Sequence, residues 1–187
     1  EQVTVNHPVP GSSPGGGAYH LFAQFMHIFD NQIDAKIVDE YYDKISEHYR
    51  LMLNEGFPPH HWYPTRNINL SHTDKLIFLV KNIIENNLKV KLTLAQAELQ
   101  TWPMNMESYF HVHHLRADKN NEDFNSLLYL NDDFEGGQFH TKSGIEIKPV
   151  KGRLTFFDGS TIPHAVKKVY KKHRHTAIFW WKNTEFL

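Results

Sequence analysis

The order of hydrophobic periods in this chain predicts an α+β fold: a double-stranded β-helix (jelly roll) with N-terminal supporting helices. Three observations carry that prediction. Apolar residues first recur at three-to-four spacing, the period then drops to two from Leu88 onward, and short strand-like runs punctuated by turn residues fill the remainder. Each element follows from local chemistry. Residues 7–17, HPVPGSSPGGG, have no apolar periodicity and read as a flexible arm, so the chain divides into an N-terminal arm, 1–17, and a single domain, 18–187. The aromatic-rich stretch 20–29 predicts a strand. Ile33, Ile37, Tyr41, Ile45, Tyr49 and Met52 then predict a long amphipathic helix, stopped by Gly56 and Pro58-Pro59. A second helix is expected to open at Ser71 as N-cap, with Asp74 three residues on in a variant of the capping box and Leu76, Ile77, Leu79, Val80, Ile83 and Ile84 as its buried face.

Leu88, Val90, Leu92 and Leu94 alternate with Lys89, Lys91 and Thr93, the signature of a strand with one wet face. Further strands are expected at 96–102, 109–114, 125–130, 137–141, 145–148, 153–157, 164–169 and 174–181. They are separated by Asn131-Asp132-Asp133, Gly136-Gly137, Ser143-Gly144, Lys151-Gly152 and Asp158-Gly159. Gly136-Gly137 reads as a turn or bulge that lets two sheets approach.

Composition bounds the chemistry. A chain of 187 residues, 40% apolar and with 13 Phe, 8 Tyr and 4 Trp, can support one core. The absence of Cys removes disulfides, thiolate ligands and thiol nucleophiles, so any metal must sit on His, Asp or Glu. A net charge of -1 gives no electrostatic footprint for nucleic acid or an anionic membrane, and the basic run KKVYKKHRH at 167–175 reads as a solvated hairpin face. No apolar run reaches the length of a spanning helix, and no signal-peptide pattern is present. The expectation is a soluble, cytoplasmic protein that binds neither nucleic acid nor membrane.

Among the 14 His, the stretch YFHVHHLRAD at 109–118 stands out. His111 and His113, two apart on a strand, project from one face and can reach one ion, which would turn Phe110 and Val112 into the opposite, buried face. Spacing alone leaves open an ordinary His-rich surface.

Several separate motifs carry a resemblance to a known family. The run Ser126-Leu-Leu-Tyr-Leu-Asn-Asp-Asp-Phe-Glu-Gly-Gly-Gln-Phe, the stretch Ile147-Lys-Pro-Val-Lys-Gly-Arg-Leu-Thr-Phe-Phe, then Pro163-His-Ala-Val, Arg174 and Trp180 occur in the order found in iron(II)- and 2-oxoglutarate-dependent oxygenases of the prolyl 4-hydroxylase type. The chain resembles that family over about residues 97–182. The resemblance implies Fe(II), 2-oxoglutarate as cosubstrate and ascorbate as an auxiliary, with a peptide or small-molecule substrate, a prolyl peptide or amino acid, hydroxylated at an unactivated C–H bond. It also implies His164 as the distal metal ligand, Arg174 ten residues later on the far carboxylate of the cosubstrate, Tyr129 on the same carboxylate, and Trp180 as a packing residue behind it. Ten residues accommodate a strand, a tight turn and a return strand, which brings ligand and cation to one cavity.

The family pattern places Asp where this chain has His113. The resemblance therefore implies His111, His113 and His164 as metal ligands, with one imidazole replacing a carboxylate. Asp118 as the carboxylate, His114 in place of a neighbour, and a site with two His remain open at this stage. So does a jelly-roll binding module that keeps the cavity with lost or weakened redox turnover. The segment 57–69, FPPHHWYPTRNIN, reads equally as a substrate loop or a helix connector.

Overall fold

The computed structural model describes residues 4–5, 26–54, 67–113 and 123–186. Two helices lie against one face of a large antiparallel sheet, and a second, smaller layer of strands lies against the other. Helix α1 (Ala35–Asn54) starts where the Asp34 carboxylate accepts the Lys36 N–H. It buries Tyr41, Ile45 and Tyr49 as the sequence predicted, together with Val38, whereas Ile37 and Met52 are only half-buried. Helix α2 (Lys75–Leu88) buries Leu76, Ile77, Val80, Ile83 and Ile84. Its N-cap is Asp74, which accepts the Leu76 N–H, and not Ser71 as expected. The reason is tertiary: the Tyr41 hydroxyl of α1 also donates to the Asp74 carboxylate and fixes it at the helix start.

The major sheet contains β1 (Thr4–Val5), β2 (Met26–Phe29), β3 (Ile68–Asn69), β4 (Val90–Trp102), β5 (Asp123–Tyr129), β9 (Leu154–Asp158) and β12 (Arg174–Phe186), in the order β1-β2-β9-β5-β12-β4-β3. The second layer is built from β10 (His164–Val166), β7 (Phe139–Thr141) and β8 (Glu146–Ile147), ordered β10-β7-β8, and from the pair β11 (Val169–Tyr170) and β6 (Glu135–Gly136). Strict alternation along β12 sorts the two cores. Ala177, Phe179 and Trp181 pack toward the helices, while Ile178 and Trp180 pack between the layers with Leu127, Tyr129, Phe139, Phe157 and Val169. Phe156 joins the helix-side core and Phe157 the inter-layer core.

Several expectations need correction. The two strands read at 88–94 and 96–102 are one strand, β4; its alternation breaks because Trp180 pairs with Gln96 but Trp181 with Leu94, leaving Ala95 as a bulge. The strand read at 164–169 is two, β10 and β11, because at Lys167 and Lys168 the backbone turns to bond Gln138 and Gly137 instead. The expected arm is structured at one point, since Thr4–Val5 pairs with Met26 and His27; the rest of 1–17 lies outside the described residues. So do most of the 57–69 segment, His114 and Asp118. No described helix is long and apolar enough to cross a membrane.

Candidate metal and cosubstrate site

Residues 109–113 do not form the expected strand. His111 makes a single antiparallel bridge to His164, with both backbone N–H groups donating across it at 2.9 and 3.0 Å, and the His113 N–H donates to the Gly159 carbonyl at 2.8 Å. These three anchors are enough to bring the rings together. Because the segment is a lone bridge at the edge of the small layer, Phe110 is not buried as predicted; it is 47% exposed and its ring packs on the edge of His140.

The Nε2 atoms of His111 and His113 are 3.2 Å apart and those of His113 and His164 3.3 Å apart. Ligand atoms of all three lie within 4.8 Å of one another. Neighbouring nitrogens at about 2.1 Å from one ion and at right angles are about 3 Å apart, so the spacing suits a shared metal. The opposite ring nitrogens decide the tautomers. Nδ1 of His111 donates to the Tyr109 carbonyl at 2.9 Å, Nδ1 of His164 to the Ile162 carbonyl at 2.7 Å, and Nδ1 of His113 to Oδ1 of Asn125 at 2.9 Å. A carbonyl oxygen only accepts, so every Nδ1 carries its hydrogen and every Nε2 directs a lone pair at the same point. Three converging lone pairs repel one another until a cation lies between them, and an all-imidazole set suits iron, zinc, nickel or copper.

Burial keeps the His113 and His164 rings neutral. His164, 3% exposed, is stacked on Phe139 and edge-on to Phe157, and desolvation lowers its pKa to about 3. Desolvation likewise lowers that of His113 to about 4, with the Asn125 bond opposing. Gly159 is needed for this packing: a Cβ there would sit 1.7 Å from Oδ1 of Asn125.

Arg174 opens β12 and is 1% exposed, not a rim cation. Its Nε, Nη1 and Nη2 are all buried without a hydrogen-bond partner, and its guanidinium lies 5.1 Å from the centre of the Tyr129 ring. Burial lowers its pKa, and Tyr129 opposes that. Asn131 aims it: its side chain donates to the His173 carbonyl at 2.9 Å and accepts the His175 N–H at 2.7 Å, clamping the residues on both sides. Gly137, at φ +64, leaves the room; a Cβ there would lie 3.0 Å from Cδ of Arg174. Thr176, on the same face of β12 and opposite Tyr129, also has a buried, unpartnered hydroxyl. A guanidinium fork and a hydroxyl thus share one face of β12 beside the Tyr129 ring, a donor set whose chemistry suits a carboxylate.

The residues predicted from sequence, His111, His113, His164, Tyr129 and Arg174, are brought to the inner face of the fold. Trp180 packs against His113 with ring centres 5.9 Å apart. Sequence reasoning missed Asn125 and Thr176. The signal for both was the period of two, which puts Asn125 on the face of Leu127 and Tyr129, and Thr176 on the face of Arg174.

Fold and site together present a jelly roll carrying three converging imidazoles that could hold a metal ion and, separately, a buried guanidinium with no hydrogen-bond partner. Residues 99–182 match the model of the 2OG-Fe(II) oxygenase superfamily. Over those residues, which are fewer than half of the chain, it is similar to that superfamily. It is 42% identical over 66 residues to human prolyl 3-hydroxylase 2, a match covering 32% of this chain and 9% of that protein. It is 39% identical over 66 residues to prolyl 3-hydroxylase 1 of Gallus gallus, again covering 32% and 9%. The matches therefore span only about a tenth of those relatives. In fold the chain is similar to the viral collagen prolyl hydroxylase of Paramecium Bursaria Chlorella virus-1 in its 2-oxoglutarate complex, with a TM-score of 0.65, 15% identity and coverage of 86% of this chain and 96% of that one. A prolyl hydroxylase from Trichoplax adhaerens, solved with a peptide fragment of hypoxia inducible factor, gives a TM-score of 0.60 at 15% identity, covering 84% and 83%.

Proposed function

We propose that this chain is an Fe(II)- and 2-oxoglutarate-dependent oxygenase that hydroxylates an unactivated C–H bond, with a prolyl peptide or an amino acid as substrate. His111, His113 and His164 would hold the metal, so that the site uses His-x-His in place of His-x-Asp. Arg174 and Tyr129 would hold the far carboxylate of 2-oxoglutarate, with Thr176 beside them. The observation that carries this reading is the fully buried guanidinium of Arg174 with no partner on any nitrogen. A lone buried charge is retained only where a counter-ion arrives, and a forked donor selects a carboxylate.

When bound, Fe(II) supplies oxygen activation coupled to oxidative decarboxylation of 2-oxoglutarate to succinate and carbon dioxide. The chain's own residues orient and exclude water. Hydrogen bonds from the three Nδ1 atoms fix the rings, the apolar wall of Phe139, Phe157 and Trp180 limits solvent access, and Arg174 sets the direction in which a dicarboxylate enters. No side chain has to act as nucleophile or acid–base dyad. A prolyl peptide is supported by the matches to prolyl 3-hydroxylases and by the peptide-bound structural neighbour. Succinate formation by iron-loaded protein, compared with His164→Ala, is the test. A rate no greater than the variant's would remove the enzyme reading and leave a binding module.

A further inference from the structure

We infer that Glu98, with the side-chain carbonyl of Asn67, is the receptor for a cationic group, ammonium or guanidinium, on the substrate. This rests on the oxygenase reading above and deepens it. The placement comes from strand register. Ile178 of β12 pairs with Glu98 of β4 on one side and Leu127 of β5 on the other, and Trp180 pairs with Gln96 and Asn125. Directly paired residues share a face. That face is the inner one, because Ile178 and Trp180 pack between the layers and Asn125 bonds His113. Glu98 therefore sits one strand across from Ile178 and diagonal to Trp180, whose ring packs on His113.

Glu98 is 8% exposed, and its bonds are to two neutral amides, Nδ2 of Asn67 at 2.6 Å and Nε2 of Gln100 at 3.0 Å. No cation among the described residues pairs with it. Arg174 is not its partner: it faces Trp102, four residues along β4, about 13 Å at the rise of a strand. Burial raises the pKa of Glu98, and both amides oppose that. Beside it Oδ1 of Asn67 is buried with no hydrogen-bond partner. A carboxylate can accept about four hydrogen bonds and two are made here, so the carboxylate and the neighbouring carbonyl together offer unused acceptors and one uncompensated negative charge. A hydroxyl or an apolar group would leave that charge buried; a cation offsets it and supplies the donors. The inner face thus carries two separated, unpaired charges. The positive one matches the dicarboxylate, and the negative one matches the substrate. Asn67 immediately precedes β3, the end strand of the sheet among the described residues, so the receptor lies at the sheet edge.

The test uses the full chain loaded with redox-inert Zn(II) and saturated with 2-oxoglutarate, with n-butylammonium, n-butylguanidinium and n-butanol as probes in ligand-observed NMR titrations. The expected result is that both cations bind the wild type at least about tenfold tighter than butanol, and that Glu98→Gln loses about tenfold for the cations while butanol binding is unmoved. Equal binding of cations and butanol to the wild type, or cation binding untouched in Glu98→Gln, would overturn the inference. Asn67→Leu, at the sheet edge, provides a second variant should Glu98→Gln fail to fold, and a several-fold loss for the cations is expected; no loss there counts against the inference. The 2-oxoglutarate isotherm of the wild type separates the two readings. Tight cosubstrate binding without cation selectivity sinks only the receptor, whereas cation selectivity without cosubstrate binding sinks only the oxygenase.

Discussion

Arg174→Met should stabilise the ligand-free protein while abolishing its response to 2-oxoglutarate. In the wild type the three guanidinium nitrogens are buried and unpartnered. An unsatisfied buried donor costs about 1–3 kcal/mol, and an uncompensated buried charge about 3–5 kcal/mol. The Tyr129 ring, 5.1 Å from the guanidinium, offsets part of this, leaving about 2 kcal/mol that an unbranched apolar side chain would recover. For a domain of this size each kcal/mol moves the midpoint by about 2–4 °C, so thermal unfolding should shift upward by about 4–8 °C. Adding 2-oxoglutarate at a hundred times its dissociation constant, with Zn(II) present, should add about 2.7 kcal/mol to the wild type and nothing to the variant. Circular dichroism melts of both proteins, with and without cosubstrate, measure both effects. A ligand-free variant less stable than the wild type, or a cosubstrate shift that survives the substitution, would refute the reasoning.

Three further outcomes follow from the same geometry. His113→Ala should weaken divalent metal binding by calorimetry, whereas His113→Asp should preserve or strengthen it, because a carboxylate restores an anionic ligand; equal loss in both would remove His113 from the ligand set. Asn125→Ala frees the His113 ring and should cost about 10–100-fold in metal affinity, with Asn125→Asp recovering it; an unchanged isotherm in the alanine variant would contradict this. His175, 5% exposed and bonded to Thr101, has its pKa lowered by burial to about 4 from the usual 6.5. The unfolded chain thus takes up this proton first, so its contribution is complete above pH 6.5 and is lost as pH falls through about 4, on the order of 3 kcal/mol in all. Urea midpoints across that range should fall less steeply for His175→Phe, and parallel curves would show that His175 does not titrate as described.

The parts of the fold legible in sequence were those where side-chain period and backbone pairing agree. β5, β9 and the first eight residues of β12 were legible because every second residue enters one of two cores, but β12 runs on to Phe186, past the expected 174–181. β4 was split in the reading because the bulge at Ala95 interrupts alternation, and a bulge is set by the partner strand, here the step from Trp180 to Trp181. The N-cap was misassigned because Ser71 and Asp74 are both good capping residues, and a hydroxyl from another helix, Tyr41, settles the choice. His111 and His113 were found for a partly mistaken reason. They converge through one bridge and one bond to Gly159 rather than through strand geometry, which is why Phe110 could not be placed. Arg174 was legible by spacing, but its lack of a partner is a property of the assembled sheet.

The imidazole at 113 also changes how metal and cosubstrate should depend on each other. A divalent ion held by three neutral rings keeps its full charge, whereas a carboxylate ligand would lower it by one unit, and Arg174 adds a further buried positive charge. 2-Oxoglutarate, with a carboxylate at each end, offsets both. Binding of either partner should therefore favour the other, and linkage makes the effect reciprocal. Metal titrations with and without 2-oxoglutarate should show at least about tenfold coupling in the wild type, equivalent to about 1.4 kcal/mol. His113→Asp should reduce that coupling, since its own anion already lowers the charge the cosubstrate meets. Coupling that is absent in the wild type, or larger in His113→Asp, would mean that charge at the triad does not govern cosubstrate binding and that Arg174 acts alone.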